Sequence, residues 1–115
     1  MSGKSRKTLG AQGRERAPVF AALGDATRLS LVALLCSGQP RSIAQLTVGS
    51  KLTRQAIAKH LRILESAGVV HSVRSGRESL FRFDPGPIKD VKDFLALVSE
   101  QWDQALARLK TFVED

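Results

Sequence analysis

Apolar residues recur in steps of three and four along most of this chain, and the rhythm stops at glycines, prolines and capping side chains, which predicts a run of helices. Val19, Phe20 and Leu23 mark a short first helix from about Arg14 to Leu23, interrupted by Gly24. Asp25 is suited to cap a second helix whose inward face reads Leu29, Val32, Leu35 and Cys36, ending at Gly38 and Pro40. Ser42-Ile43-Ala44-Gln45 has the form of a capping box and opens a third helix that closes near Val48-Gly49. Gly49 to Leu52 forms the following turn. Thr53 caps a fourth helix running to about Ala67, with Gly68 beyond its end. Ile57, Leu61 and Leu64 make its inward stripe, and Arg54, Gln55, Lys59 and Arg62 lie off it.

The pattern then changes. Val69 to Phe83 is rich in β-branched and aromatic residues and is broken at Ser75-Gly76, which predicts a hairpin tipped by Arg74 and Arg77. Asp84-Pro85-Gly86-Pro87 is a break, and a last helix follows from Ile88 to about Val113. Its stripe is Ile88, Val91, Leu95, Val98, Trp102, Ala105, Leu109 and Phe112. A helix of this length reaches roughly 38 Å, more than a small body covers. The stripe is therefore expected to pack on a second copy of the chain, with Trp102 as anchor and Phe20 of the first helix beside it. The expected fold is α+β, mainly α, in the order α-α-α-α-β-β-α. Residues 1–13 are expected to be a disordered basic tail, 14–115 a single domain, and 88–113 its dimerisation helix.

Composition narrows the setting. At 115 residues, with 43% apolar and 25% charged, the chain suits one globular domain. Aromatics make up only 5%, so the core must be Leu, Val, Ile and Ala. No apolar run approaches the length of a membrane span, and Met1 to Arg16 lacks the apolar stretch of a secretory signal, so the expected location is the cytoplasm, with no membrane partner. Cys36 is the single cysteine, which excludes an intrachain disulfide and a multi-cysteine metal cage; its spacing reads as a small packed residue. There is no Ser/His/Asp set, phosphate-binding glycine loop or paired carboxylate, so no enzyme is expected.

Charge suggests a partner. The net charge is +7, and it is unevenly placed: residues 17–82 hold nine Lys/Arg against three acids, whereas residues 83–115 hold four against seven. A basic body with an acidic end is an electrostatic footprint for a polyanion. Two short helices joined by a turn, the second polar outside, followed by a basic hairpin, form a winged helix-turn-helix suited to double-stranded DNA. The major groove is about 12 Å wide and admits one helix. Arg54 and Gln55 in the first turn match guanine and adenine edges, Ala56 allows close approach, and Lys59 and His60 suit phosphates. Ser42, Lys51 and Thr53 flank that helix, and Arg74 and Arg77 on the wing are placed to straddle an adjacent backbone or minor groove. His60 reads equally as a packing residue, and His71 reads as structural. The alternative is a winged helix that docks a protein instead of DNA; an RNA partner is disfavoured because A-form major grooves exclude a helix.

The stretch Phe20-Ala-Ala-Leu-Gly-Asp-Ala-Thr-Arg28-Leu-Ser-Leu resembles the opening of arsenic-repressor-type (ArsR/SmtB) winged-helix regulators. Thr53-Arg-Gln-Ala-Ile-Ala-Lys-His60-Leu-Arg-Ile-Leu-Glu-Ser-Ala-Gly68-Val-Val is similar to their recognition helix and entry to the wing. The resemblance spans about residues 17–83. It implies a homodimeric repressor on a roughly palindromic operator, released by a signal, with a small-molecule inducer of unknown identity as a further partner. It also implies that Arg28 is a structural or phosphate-side arginine rather than a base reader. The metal sensors of that family place cysteines in the third helix, where this chain reads Ser42 to Val48, and ligands along the last helix, where this chain has no His or Cys. The resemblance is therefore to the metal-independent branch, with no metal or other cofactor expected.

Overall fold

The computed structural model describes residues 7–114. Five helices and a small antiparallel sheet follow in the order α1 (Leu9–Leu23), α2 (Ala26–Leu35), β1 (Arg41–Ser42), α3 (Ile43–Thr47), α4 (Arg54–Ser66), β2 (Val70–Ser75), β3 (Glu78–Phe83) and α5 (Pro85–Glu114). This is a mainly helical winged helix-turn-helix with a long C-terminal helix. The two-residue β1 is absent from the expected order. Its Arg41 and Ser42 pair with Phe81 and Leu80, making the sheet order β1-β3-β2.

Capping side chains set most of the boundaries. Thr8, Asp25, Ser42 and Thr53 each accept a backbone N–H of the first turn that follows, and at Ser42 the box is reciprocal, with Gln45 accepting from the Ser42 N–H. α4 ends at Gly68 (φ +78°): Val69 N–H reaches Leu64 O at 3.0 Å and Gly68 N–H reaches Glu65 O at 2.9 Å, a Schellman closure that requires the left-handed residue. The β2–β3 turn is two residues long, with Ser75 opposite Glu78 and a positive φ at Gly76 alone, as a type II′ hairpin turn requires.

Two boundaries depart from the expectation. α1 begins at Leu9 rather than near Arg14, so 9–13 are helical; residues 1–6 of the expected tail lie outside the described residues. The glycines at 10 and 13 and Pro18 inside α1 lower its helical propensity, but tertiary packing overrides them. A Cβ on Gly13 would come within 3.1 Å of the Phe94 ring of α5. Phe20 packs edge-to-face on the same ring, centroids 6.0 Å apart, and Arg16 Nε donates to Asp90 O at 3.2 Å. α5 begins at Pro85 rather than Ile88, because first-turn N–H groups have no helical partner to lose and Asp84 Oδ1 accepts from Gly86 N–H at 2.9 Å.

The core joins Ala22, Leu31, Leu35, Leu46, Ile57, Leu61, Leu64, Val69, Val70 and Phe81. The expected α2 stripe is rotated: Leu31 and Leu35 are buried with Val32 beside them, whereas Leu29 is half exposed. Cys36 is exposed rather than packed, since α2 ends at Leu35 and the Cys36 thiol turns back to Ala33 O.

Candidate nucleic-acid interface

α4 is held by its apolar stripe. Ile57, Leu61 and Leu64 are each 1% exposed or less. At about 100° per residue, fixing those three inward turns Gln55, Lys59 and Arg62 outward, and all three are exposed. Arg54, in the first turn, lies to one flank and lines a shallow cleft with Ser42, Ile43 and Ala44 on one side and the wing residues Glu78 and Ser79 on the other. Arg74 and Arg77 are exposed on the wing, and Lys51 is exposed in the turn before α4. Thr53 is exposed and its hydroxyl accepts from Ala56 N–H at 3.1 Å; Ala56 is half-buried. Among the described residues, Lys51, Arg54, Lys59, Arg62, Arg74 and Arg77 form no ion pair.

Two expected members have partners within the chain. Ser42 is 7% exposed; its hydroxyl accepts from Gln45 N–H and its own N–H donates to Gln45 Oε1, so it serves the capping box from a buried position. His60 lies on the flank of α4 opposite Arg54, where its Nδ1 is 3.2 Å from Arg28 Nη1 and 3.8 Å from Asp25 Oδ2. The helical period places position 60 toward α2, and its packing role is the one realised.

Arg28 is structural, as one of its two expected roles. Its Nε donates to Ala22 O at 2.6 Å and Nη2 to Ala21 O at 3.4 Å, so it satisfies carbonyls at the end of α1 while touching α4 through His60. Beside it, the Arg28 backbone N–H on the Asp25 carboxylate is the main reason that the Asp25 pKa lies below the ordinary carboxylate value. His71 is also structural: Nε2 meets Asp84 Oδ2 at 2.8 Å, tying β2 to the start of α5.

A contact that sequence reasoning missed sets the wing against the reading helix. Glu65, at the end of α4, accepts from the backbone N–H and hydroxyl of Ser72 in β2, at 3.2 and 2.9 Å. A lone acid inside a basic segment was the only available signal.

On α5 the expected stripe divides. Val91 is 7% exposed, Ile88 packs on the core and the Phe20 ring is engaged with Phe94, so these three have partners within their own chain. Beyond them Leu95, Val98, Trp102, Leu109 and Phe112 of that stripe are exposed, joined by Leu97, Leu106 and Val113. Among the described residues no helix alone is long and apolar enough to cross a membrane, and no group of three His, Cys, Asp or Glu is placed to hold a metal ion.

Comparison with known proteins agrees with this geometry. A helix-turn-helix domain model matches residues 23–73, from the end of α1 into β2. The HTH-type transcriptional regulator YuzN of Bacillus subtilis is 38% identical over 79 residues, covering 64% of this chain and 86% of that one. A solved ArsR-like transcriptional regulator from Rhodococcus sp. RHA1 superposes with a TM-score of 0.83 at 37% identity, over 94% of this chain and 97% of its own. The homodimeric winged helix-turn-helix DNA-binding domain Mb0332 from Mycobacterium bovis superposes with a TM-score of 0.59 at 27% identity, over 92% and 94% of the two chains. The chain belongs to the ArsR-like family of winged helix-turn-helix transcriptional regulators.

Proposed function

We propose that the chain is a repressor that binds a roughly palindromic operator as a homodimer in the cytoplasm and leaves it when a small-molecule inducer binds. The observation that carries the DNA reading is the set of exposed cations on α4, its preceding turn and the wing, none paired with an acid among the described residues. An exposed guanidinium without a partner inside the chain is available to a phosphate or a base edge. Arg54 and Gln55 read bases, with Ala56 allowing close approach; Lys51, Thr53, Lys59 and Arg62 hold the flanking phosphates; Arg74 and Arg77 hold the next stretch of backbone or minor groove. Dimerisation through Leu95, Val98, Trp102 and Leu109 sets two such heads about one helical turn of DNA apart, roughly 34 Å. The homodimeric relative supports that assembly.

A mobility-shift titration with the duplex flanking its own gene, at two salt concentrations, tests the reading. Arg54→Ala or Gln55→Ala should cost about 1–3 kcal/mol on the operator and relax base preference. Arg74→Ala or Arg77→Ala should weaken all duplexes alike and reduce the salt slope. Wild-type operator affinity in the Arg54 and Gln55 variants would show that another surface reads the DNA.

A further inference from the structure

The helix-turn-helix has a groove behind it. Between α2 and the turn joining α3 to α4 lies an open cavity of about 380 Å³, within the range of small-molecule sites. Its floor is Leu31, Leu46 and Ile57, each 2% exposed or less, and Leu34 at 44%, Leu52 at 37% and Val48 at 81% line its rim. Ile57 belongs to the reading helix and Leu31 to α2, so whatever fills the groove touches both. Lys51 is the only charged residue lining it, and it has no ion pair among the described residues. The Thr27 hydroxyl, also on the wall, makes no hydrogen bond among the described residues.

The walls are mostly apolar, the Ser30 and Ser50 hydroxyls on them being engaged with Ala26 O and Leu52 N–H, and with one unpaired cation at the mouth they define a ligand by charge and shape. We infer that this groove binds a small amphipathic carboxylate, with its hydrocarbon body on the leucines and its anionic end on Lys51. The inference rests on the regulator reading and names its inducer class. Occupancy and DNA binding compete, because a carboxylate on Lys51 removes a cation from phosphate and its tail wedges the turn from α2. A second groove, of about 350 Å³ between α1 and α4, has no such handle: its one charged residue, Arg28, already donates to Ala21 O, Ala22 O and His60.

The probe is octanoate, with octan-1-ol and octylamine as matched neutral and cationic controls. Added to the free, full-length protein, octanoate should give saturable amide shifts in ¹⁵N–¹H spectra at Leu46 to Leu52 and Leu34, and the controls should bind at least fivefold more weakly. Lys51→Gln should weaken octanoate about three- to tenfold, as an exposed charge-assisted contact does. Leu34→Asn takes hydrocarbon off the rim without adding a charge that could pair with Lys51, and it lies outside the DNA-facing set. It should weaken octanoate at least fivefold while operator affinity stays within twofold of wild type. Saturating octanoate should weaken wild-type operator binding at least tenfold, and the same octanoate concentration should weaken the Leu34→Asn complex markedly less. Shifts centred on Ala21, Ala22 and Ile63, equal binding of octan-1-ol, or no saturable shift overturn the site. Saturable shifts at the groove with unchanged operator affinity overturn the competition. If the protein binds no operator at all, the regulator reading fails, and the spectra of the free protein still decide the site.

Discussion

Arg28 holds the junction of α1, α2 and α4 with one side chain, and its planar fork matches three acceptors at once. A lysine has the charge without the fork. Arg28→Lys should therefore lower stability by about 1–3 kcal/mol, read from urea midpoints, while the exposed cations of α4 stay in place. Nearby acids make a second statement at this scale. The carboxyl pKa values of Asp25 and Asp84 lie below the ordinary value, chiefly through the backbone N–H of Arg28 for the first and of Gly86 for the second, with His71 adding to the second. A lowered folded pKa means that the contribution is fully present above the unfolded value of about 3.9 and is lost as pH falls through the folded value. Stability should be level from neutrality to about pH 5 on this account and fall below about pH 4. Asp84→Asn should flatten part of that acid slope in urea titrations repeated at each pH; an unchanged slope would place the acid sensitivity elsewhere.

Elements here are made by their ends. Gly68 closes α4 at φ +78°, and a Cβ there would meet only Pro87 Cγ at an ordinary 3.6 Å. Gly68→Ala should therefore cost about 1–2 kcal/mol from backbone conformation alone, measured by thermal melting, with no new clash. The same ends explain what was legible beforehand. Asp25, Ser42, Thr53 and Gly68 are local signals with one physical use each, and they place three helices and the turn between them. The inward stripe of α4 follows from its period, and so do the outward Gln55 and Lys59. What stayed hidden depends on neighbours remote in sequence. Gly10, Gly13 and Pro18 argue against a helix until Phe94 and Asp90 of α5 arrive to hold it. Ser42 and His60 have the chemistry of phosphate contacts, and only Gln45, Arg28 and Asp25 show that it is already engaged.

For the whole molecule, the exposed half of α5 is the main unmet demand. Trp102 is 62% exposed and Phe112 80%, an apolar stripe of a kind that small proteins cover. With a second copy on it, Trp102→Ala should weaken association by about 2 kcal/mol, and truncation after Pro87 should give monomers or insoluble chains that no longer hold operator tightly. Sedimentation alongside an operator titration reads both, and a truncated dimer that still binds DNA would sink the assignment. Covered by a second copy, the same stripe would make folding a two-body event. The melting temperature should then rise with protein concentration, and dilution should act like added denaturant. That behaviour would carry into the cell as a dose response. Below the dimer dissociation constant, competent protein rises with the square of chain concentration, so halving the copy number cuts operator-ready dimer about fourfold. On this proposal, a few exposed apolar side chains on one helix would set how steeply transcription answers to gene dosage.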